Sequence, residues 1–140
     1  MAGKKKILIV EDHSGIRRLM AFFLERTGYD VIEAETGLAA IEQANATHPD
    51  LIMMDLGLPD ITGDKATARI KLDPSTKHIP VIVITAYYGN APLVESALAA
   101  GACEVLSKPV ALRTLEDTLR RLLTTPDEES LNQNFRVTCD

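Results

Sequence analysis

Leu51-Ile52-Met53-Met54-Asp55-Leu56-Gly57-Leu58-Pro59 is the stretch that decides the fold. Its first four residues are apolar without alternation, the pattern of a strand covered on both faces, as in a parallel sheet. A carboxylate, Asp55, follows directly, and Gly57 and Pro59 punctuate the turn beyond it. Parallel strands cannot be joined by a tight hairpin, so helical crossovers should lie on either side of this strand.

The flanking sequence has that form. Ile7 to Val10, Val31-Ile32, Val81 to Ile84 and Val105-Leu106 are further short aliphatic runs. Between them, Ile16, Leu19, Met20, Phe23 and Leu24 are spaced as one buried helical face, with Ser14 as the expected N-cap and Gly28 as the stop. Leu38, Ile41 and Ala44 mark a second helix, broken at His48-Pro49. A weaker helix is expected from about Asp64 to Leu72. Pro92 opens another, with Val94, Ala97 and Leu98 inward, and Leu112, Leu115, Leu119 and Leu122 place a last one against the sheet. Strands alternating with helices predict an α/β protein, a doubly wound (βα)5 parallel sheet with helices on both faces.

The chain has 140 residues, 46% hydrophobic and 25% charged, with a formal net charge of −5. That fits one domain with a real core, expected over residues 1–125, followed by an acidic, flexible C-terminal tail over residues 126–140. A negative balance disfavours direct contact with nucleic acid or an anionic membrane. Lys4-Lys5-Lys6 reads as a solvated lead-in, and no run approaches the length of a membrane span, so the expected location is the cytoplasm. Cys103 and Cys139 have no metal-ligand spacing and read as free thiols of a reducing compartment.

In open parallel sheets the chemistry collects at the carboxyl ends of the strands. Glu11 and Asp12 follow the first strand, Asp55 the third, Thr85 the fourth, and Ser107-Lys108 the fifth. Three carboxylates on one rim repel, by roughly 4 kcal/mol per pair about 4 Å apart at an effective dielectric near 20. They need protons, a lysine or a hard cation, and carboxylates with open positions suit Mg²⁺. His13, His48 and His78 read as loop residues, and Arg17 and Arg18 as the solvent side of the first helix.

At these residues the sequence resembles the response-regulator receiver family of two-component signalling, from about Lys5 to Leu123. The resemblance is carried by Ile7-Leu8-Ile9-Val10-Glu11-Asp12, Pro49 to Pro59, Pro80-Val81-Ile82-Val83-Ile84-Thr85-Ala86, and Gly101-Ala102 leading to Lys108-Pro109. It implies a flavodoxin-like sheet in the order 2-1-3-4-5. It implies Asp55 as phosphoacceptor, with Thr85 bonding and Lys108 pairing with the phosphoryl group. Glu11, Asp12, Asp55 and the backbone carbonyl of Gly57 would be the ligands of Mg²⁺, with Mn²⁺ as an alternative, and Pro109 would follow a cis peptide.

The implied partners are a histidine kinase or phosphotransfer protein and a downstream protein target, reached through the helix 4, strand 5 and helix 5 face; a phosphorylation-dependent homodimer is compatible. The implied reaction is self-catalysed phosphorylation and dephosphorylation, not that of a conventional enzyme. Two departures matter, one at Val105 and one at Gly57 and Tyr87, which hold positions that tune phosphoryl lifetime in the family. Val105 stands where many members carry an aromatic that turns inward on activation, and Tyr87 and Tyr88 are candidates to replace it. The competing readings are a phosphorylation-independent interaction module, a haloacid-dehalogenase-like hydrolase, which needs an acid where Gly57 stands, and a flavodoxin, whose phosphate loop Glu11 and Asp12 would repel.

Overall fold

The structure, a computed structural model, describes residues 3–123. The expected tail, residues 126–140, lies outside them, and with it the domain boundary at residue 125. Ten elements alternate: β1 (Lys6–Val10), α1 (Ser14–Arg26), β2 (Asp30–Ala34), α2 (Gly37–Thr47), β3 (Leu51–Asp55), α3 (Gly63–Leu72), β4 (Val81–Thr85), α4 (Ala91–Ala99), β5 (Glu104–Ser107) and α5 (Leu112–Leu122). All strand pairs are parallel and the order is β2-β1-β3-β4-β5, as the alternation and the family resemblance imply.

The period of two along each strand divides the core. Leu8, Val10, Ile52, Met54, Val81 and Val83 face one side and pack on Ala40 and Ala44 of α2, Ala66 and Ile70 of α3, and Ala97 of α4. Ile7, Ile9, Leu51, Met53, Ile82 and Ile84 face the other, against Ala21 and Leu24 of α1 and Leu115 and Leu119 of α5. Every residue of β3 and β4 is buried, which is why those strands carry no alternation.

The helical stripes are rotated from the expected ones. In α1 the buried residues are Ala21 and Leu24, whereas Leu19 is 70% exposed. Leu19 lies two residues, roughly 200°, from Ala21 around a helix of 3.6 residues per turn, so both cannot face the sheet. The line through Leu24 and Ala21 continues to Arg17, which is therefore turned inward. In α2, small Ala40 and Ala44 let the helix approach the sheet closely, and Leu38 points out. Leu98 and Leu112 are exposed for the same reason, Ala97 and Leu115 holding the inward positions.

Local chemistry sets the ends. His13, not Ser14, caps α1, its Nδ1 accepting from the Ile16 N–H at 3.2 Å. Gly28, at φ +106°, provides the left-handed turn after α1. The α2 N-terminus is closed from a distance: Asp60 accepts from the Gly37 and Leu38 N–H groups, each at 2.8 Å. Desolvation opposes the Asp60 charge, but those N–H donors prevail and hold its pKa down to about 2. The loop after β3 is thereby tied to α2. Cys103 is not a free thiol: it is disulfide-bonded, and no cysteine among the described residues is free.

Candidate functional site

Strand geometry delivers the polar residues to one rim. β1 ends at Val10, so Glu11 and Asp12 emerge beside Asp55 at the end of β3, since Val10 pairs with Met54. Carboxylate oxygens of Glu11, Asp12 and Asp55 lie within 4.8 Å of one another. Glu11 and Asp55 are buried and Asp12 is exposed, so the group opens toward solvent on the Asp12 side.

Lys108 compensates the charge. Its Nζ lies 2.6 Å from Glu11 Oε1 and 3.2 Å from Asp55 Oδ2. Burial works against the lysine charge, but the two carboxylates outweigh it and hold the Lys108 pKa above its ordinary value. The Lys108 N–H bonds to the Thr85 carbonyl at 2.9 Å, and the Lys108–Pro109 peptide is cis, as the resemblance implies.

The remaining expected residues are placed less directly. Asp55 Oδ1 accepts from the Gly57 N–H at 3.3 Å, so the contact shown by Gly57 is through its nitrogen. Thr85 is fully buried at the end of β4, and its Oγ1 accepts from the Tyr87 N–H at 2.9 Å. Val105 is half-buried and packs on the α2, α3 and α4 side of the core.

Two participants were not expected. Arg17 is not solvated: its side chain is 12% exposed, with Nη1 donating to the Glu11 carbonyl at 2.8 Å and Nε to Glu33 Oε1 at 2.9 Å. It braces the turn that carries Glu11 and Asp12. The signal was available, because Arg17 falls on the i, i+4, i+7 line with Ala21 and Leu24. Gly63 starts α3 directly on the Asp55 carbonyl. A Cβ built there would stand 2.1 Å from that oxygen.

A cavity of about 990 Å³ opens from this rim between α1 and the turn into α5. Met20, Phe23, Val110 and Leu112 line it, and it reaches Glu11, Asp55 and Lys108. Leu19 and Phe22, 70% and 58% exposed, continue its apolar wall outward along α1.

Residues 7–120 match the family model described as the response regulator receiver domain. The chain belongs to the response regulator receiver family. It is 36% identical to the polar-differentiation response regulator DivK of Brucella ovis over 120 residues, 85% of this chain and 96% of that one. Among solved structures, this receiver resembles the chemotaxis response regulator CheY4 of Vibrio cholerae with a TM-score of 0.79 and 29% identity, over 86% of this chain and 99% of that one. It resembles the response regulator TrrA of Thermotoga maritima, solved in complex with Mg²⁺-BeF, with a TM-score of 0.76 and 28% identity, over 85% and 99% of the two chains. Phosphorylation-based signalling is general to the family, and the receiver's acidic trio stands on the rim where such chemistry belongs. No helix among the described residues is long and apolar enough to cross a membrane.

Proposed function

We propose that Asp55 accepts a phosphoryl group from a phosphohistidine of a histidine kinase or phosphotransfer protein, and that this switches the receiver's contacts with a downstream protein. The observation that carries the proposal is the convergence of Glu11, Asp12 and Asp55 within 4.8 Å, with Lys108 bridging two of them. An Asp55 carboxylate oxygen attacks phosphorus, the phosphorus–nitrogen bond breaks, and histidine leaves, giving an acyl phosphate. Water later cleaves that bond and restores the carboxylate.

Glu11, Asp12, Asp55 and the Gly57 carbonyl would hold Mg²⁺, or Mn²⁺ in its place, as hard oxygen donors suit. Such an ion supplies charge neutralisation for the transferring phosphoryl oxygens. Lys108 adds a positive charge to one side, and the Thr85 hydroxyl a donor on another. The apolar wall of Leu19, Phe22 and Leu112 beside the rim suits the helical face of the phosphodonor.

Signal relay follows from the Thr85 hydroxyl. When it turns to a phosphoryl oxygen, the Tyr87 N–H loses its acceptor and the loop before α4 must rearrange. Tyr87 also lies over Gly57, its Cε2 within 3.6 Å of where a Gly57 Cβ would stand. With Val105 in place of an aromatic, Tyr87 is the ring best placed to report the event to α4, β5 and α5. The reading places the protein in the cytoplasm, where kinase and target would meet it.

The decisive experiment presents the protein to autophosphorylated histidine kinases carrying labelled phosphate. Label should pass only with Mg²⁺ or Mn²⁺ present and be lost with EDTA, and borohydride reduction should convert residue 55 to homoserine. Failure to take label from any donor, together with failure to bind beryllofluoride, would leave a phosphorylation-independent interaction module.

Lys108 gives a sharper test, because it competes with a metal for the same oxygens. Lys108→Gln should tighten Mg²⁺ binding by about tenfold, or ~1.4 kcal/mol. The same variant should slow labelling by acetyl phosphate by roughly 10²-fold, because a preorganised positive charge is lost. Calorimetric titration and initial labelling rates read the two effects separately. Parallel weakening of both would mean that Lys108 only supports the fold.

A further inference from the structure

Glu11 lies one residue beyond the register of β1 on β2, and its backbone is held on both sides. Its N–H donates to the Ala34 carbonyl at 3.0 Å, and its carbonyl accepts from Arg17 Nη1 at 2.8 Å. The Glu11 side chain is held too: Oε1 meets Lys108 Nζ at 2.6 Å, and Oε2 accepts from the His13 N–H at 3.1 Å. Asp12 is exposed, and its carboxylate takes its direction from the peptide that joins it to Glu11. That peptide is planar. A donor fixed on the Glu11 carbonyl therefore also fixes the Asp12 nitrogen and the bond to its Cα.

Arg17 is built to be such a donor. It stands in the first turn of α1, and its side chain is 12% exposed. While Nη1 holds the Glu11 carbonyl, Nε donates to Glu33 Oε1 at 2.9 Å, and Nη2 lies 3.8 Å from Glu35 Oε2. Glu33 is on β2, opposite Ile9 of β1, so the guanidinium is anchored to the same sheet that carries the acid turn. A planar fork spanning a carboxylate and a carbonyl has a fixed orientation, which a lysine ammonium would lack. Arg18 differs: it is 76% exposed and approaches Glu33 only to 3.8 Å.

Two roles for Arg17 predict opposite signs. A bare positive charge would oppose a cation at the acidic trio, so its removal would tighten Mg²⁺ binding. A brace that aims a ligand would weaken binding when removed. We propose that Arg17, anchored by Glu33, is a positioning residue that aims the Asp12 carboxylate into the Mg²⁺ site by holding the Glu11 carbonyl. The inference rests on the reading of Glu11, Asp12 and Asp55 as Mg²⁺ ligands. Because Arg17 acts through the Glu11–Asp12 peptide, it sets how well the ion is held, not how fast phosphoryl transfer runs once the ion is in place.

The test uses the full 140-residue chain, titrated calorimetrically with Mg²⁺ and labelled by acetyl phosphate over a range of Mg²⁺ concentrations. Arg17→Met should weaken Mg²⁺ binding by about tenfold and raise the half-saturating Mg²⁺ for labelling by the same factor. Its labelling rate at saturating Mg²⁺ should stay within about threefold of the native rate. Arg17→Lys keeps the charge but loses the fork, and should still weaken binding by about threefold or more. Should Arg17→Met prove unfolded by circular dichroism in EDTA, Arg17→Lys decides. Arg18→Met removes the same charge one residue away and should leave Mg²⁺ affinity within about twofold. Tighter or unchanged Mg²⁺ binding in the Arg17 variants would overturn the proposal, as would an equal loss in Arg18→Met. So would a fall in the saturating rate with unchanged Mg²⁺ affinity. A native chain that binds no Mg²⁺ would instead bring down the reading of the site, and this inference with it.

Discussion

Asp55→Asn is expected to reduce phosphoryl labelling to background, a loss of at least about 10³-fold, from acetyl phosphate and kinase alike. The substitution keeps shape and an oxygen able to accept the Gly57 N–H, but removes the nucleophilic charge. Its effect on folding should be small, within roughly 1 kcal/mol, because two terms oppose. The 3.2 Å contact with Lys108 is weakened, while repulsion from Glu11 and Asp12 is relieved. Lys108 keeps its shorter contact to Glu11 at 2.6 Å. An unchanged melting temperature with lost labelling would therefore locate the defect in chemistry. Retained labelling would move the acceptor to Asp12, the exposed member of the trio, and sink the assignment of Asp55.

Much of this site was legible in the sequence because strand-end position is a local property. An apolar run followed by an acid needs only the parallel sheet to bring Asp55 to Glu11 and Asp12, and the register of β1 on β3 does so. Helix orientation was less legible where apolar residues surround a helix. In α1, Ile16, Leu19, Met20, Phe22 and Phe23 offer several stripes of similar hydrophobicity, and packing selected the one through Ala21 and Leu24. The apolar residues left outside that stripe form the wall beside the acidic rim. Arg17 was taken for a solvated residue on the same mistaken rotation. Thr85 shows a different limit: its position was readable, but its hydrogen bond to the Tyr87 N–H depends on the turn after β4. The Cys103 disulfide was illegible for a simpler reason, since two cysteines far apart in the sequence and without metal-ligand spacing read as free thiols.

Gly63→Ala should be among the most damaging single substitutions outside the charged group. Replacing a helical glycine by alanine normally stabilises a helix by roughly 1 kcal/mol. Here the new Cβ would stand 2.1 Å from the Asp55 carbonyl oxygen and 2.9 Å from both the Asp55 carbonyl carbon and the Leu56 Cα. These are backbone atoms of the buried strand β3 and its exit, so no side chain can swing aside. Either α3 moves away, breaking the 3.0 Å bond from the Gly63 N–H to the Leu56 carbonyl, or the end of β3 is displaced. The expected cost is about 3 kcal/mol or more, lowering the melting temperature by roughly 10 °C. Labelling well below that temperature should also fall, by on the order of 10²-fold, because a shift near 1 Å misplaces Asp55 against its neighbours. Gly57→Ala is the control for stability: the nearest atom to its added Cβ is Tyr87 Cε2 at 3.6 Å, an ordinary contact, so its melting temperature should hardly change. Equal stability of the Gly63 variant and the native chain would show that α3 does not start on the Asp55 carbonyl. A stability loss with undiminished labelling would show that the close approach holds α3 in place but does not aim the carboxylate.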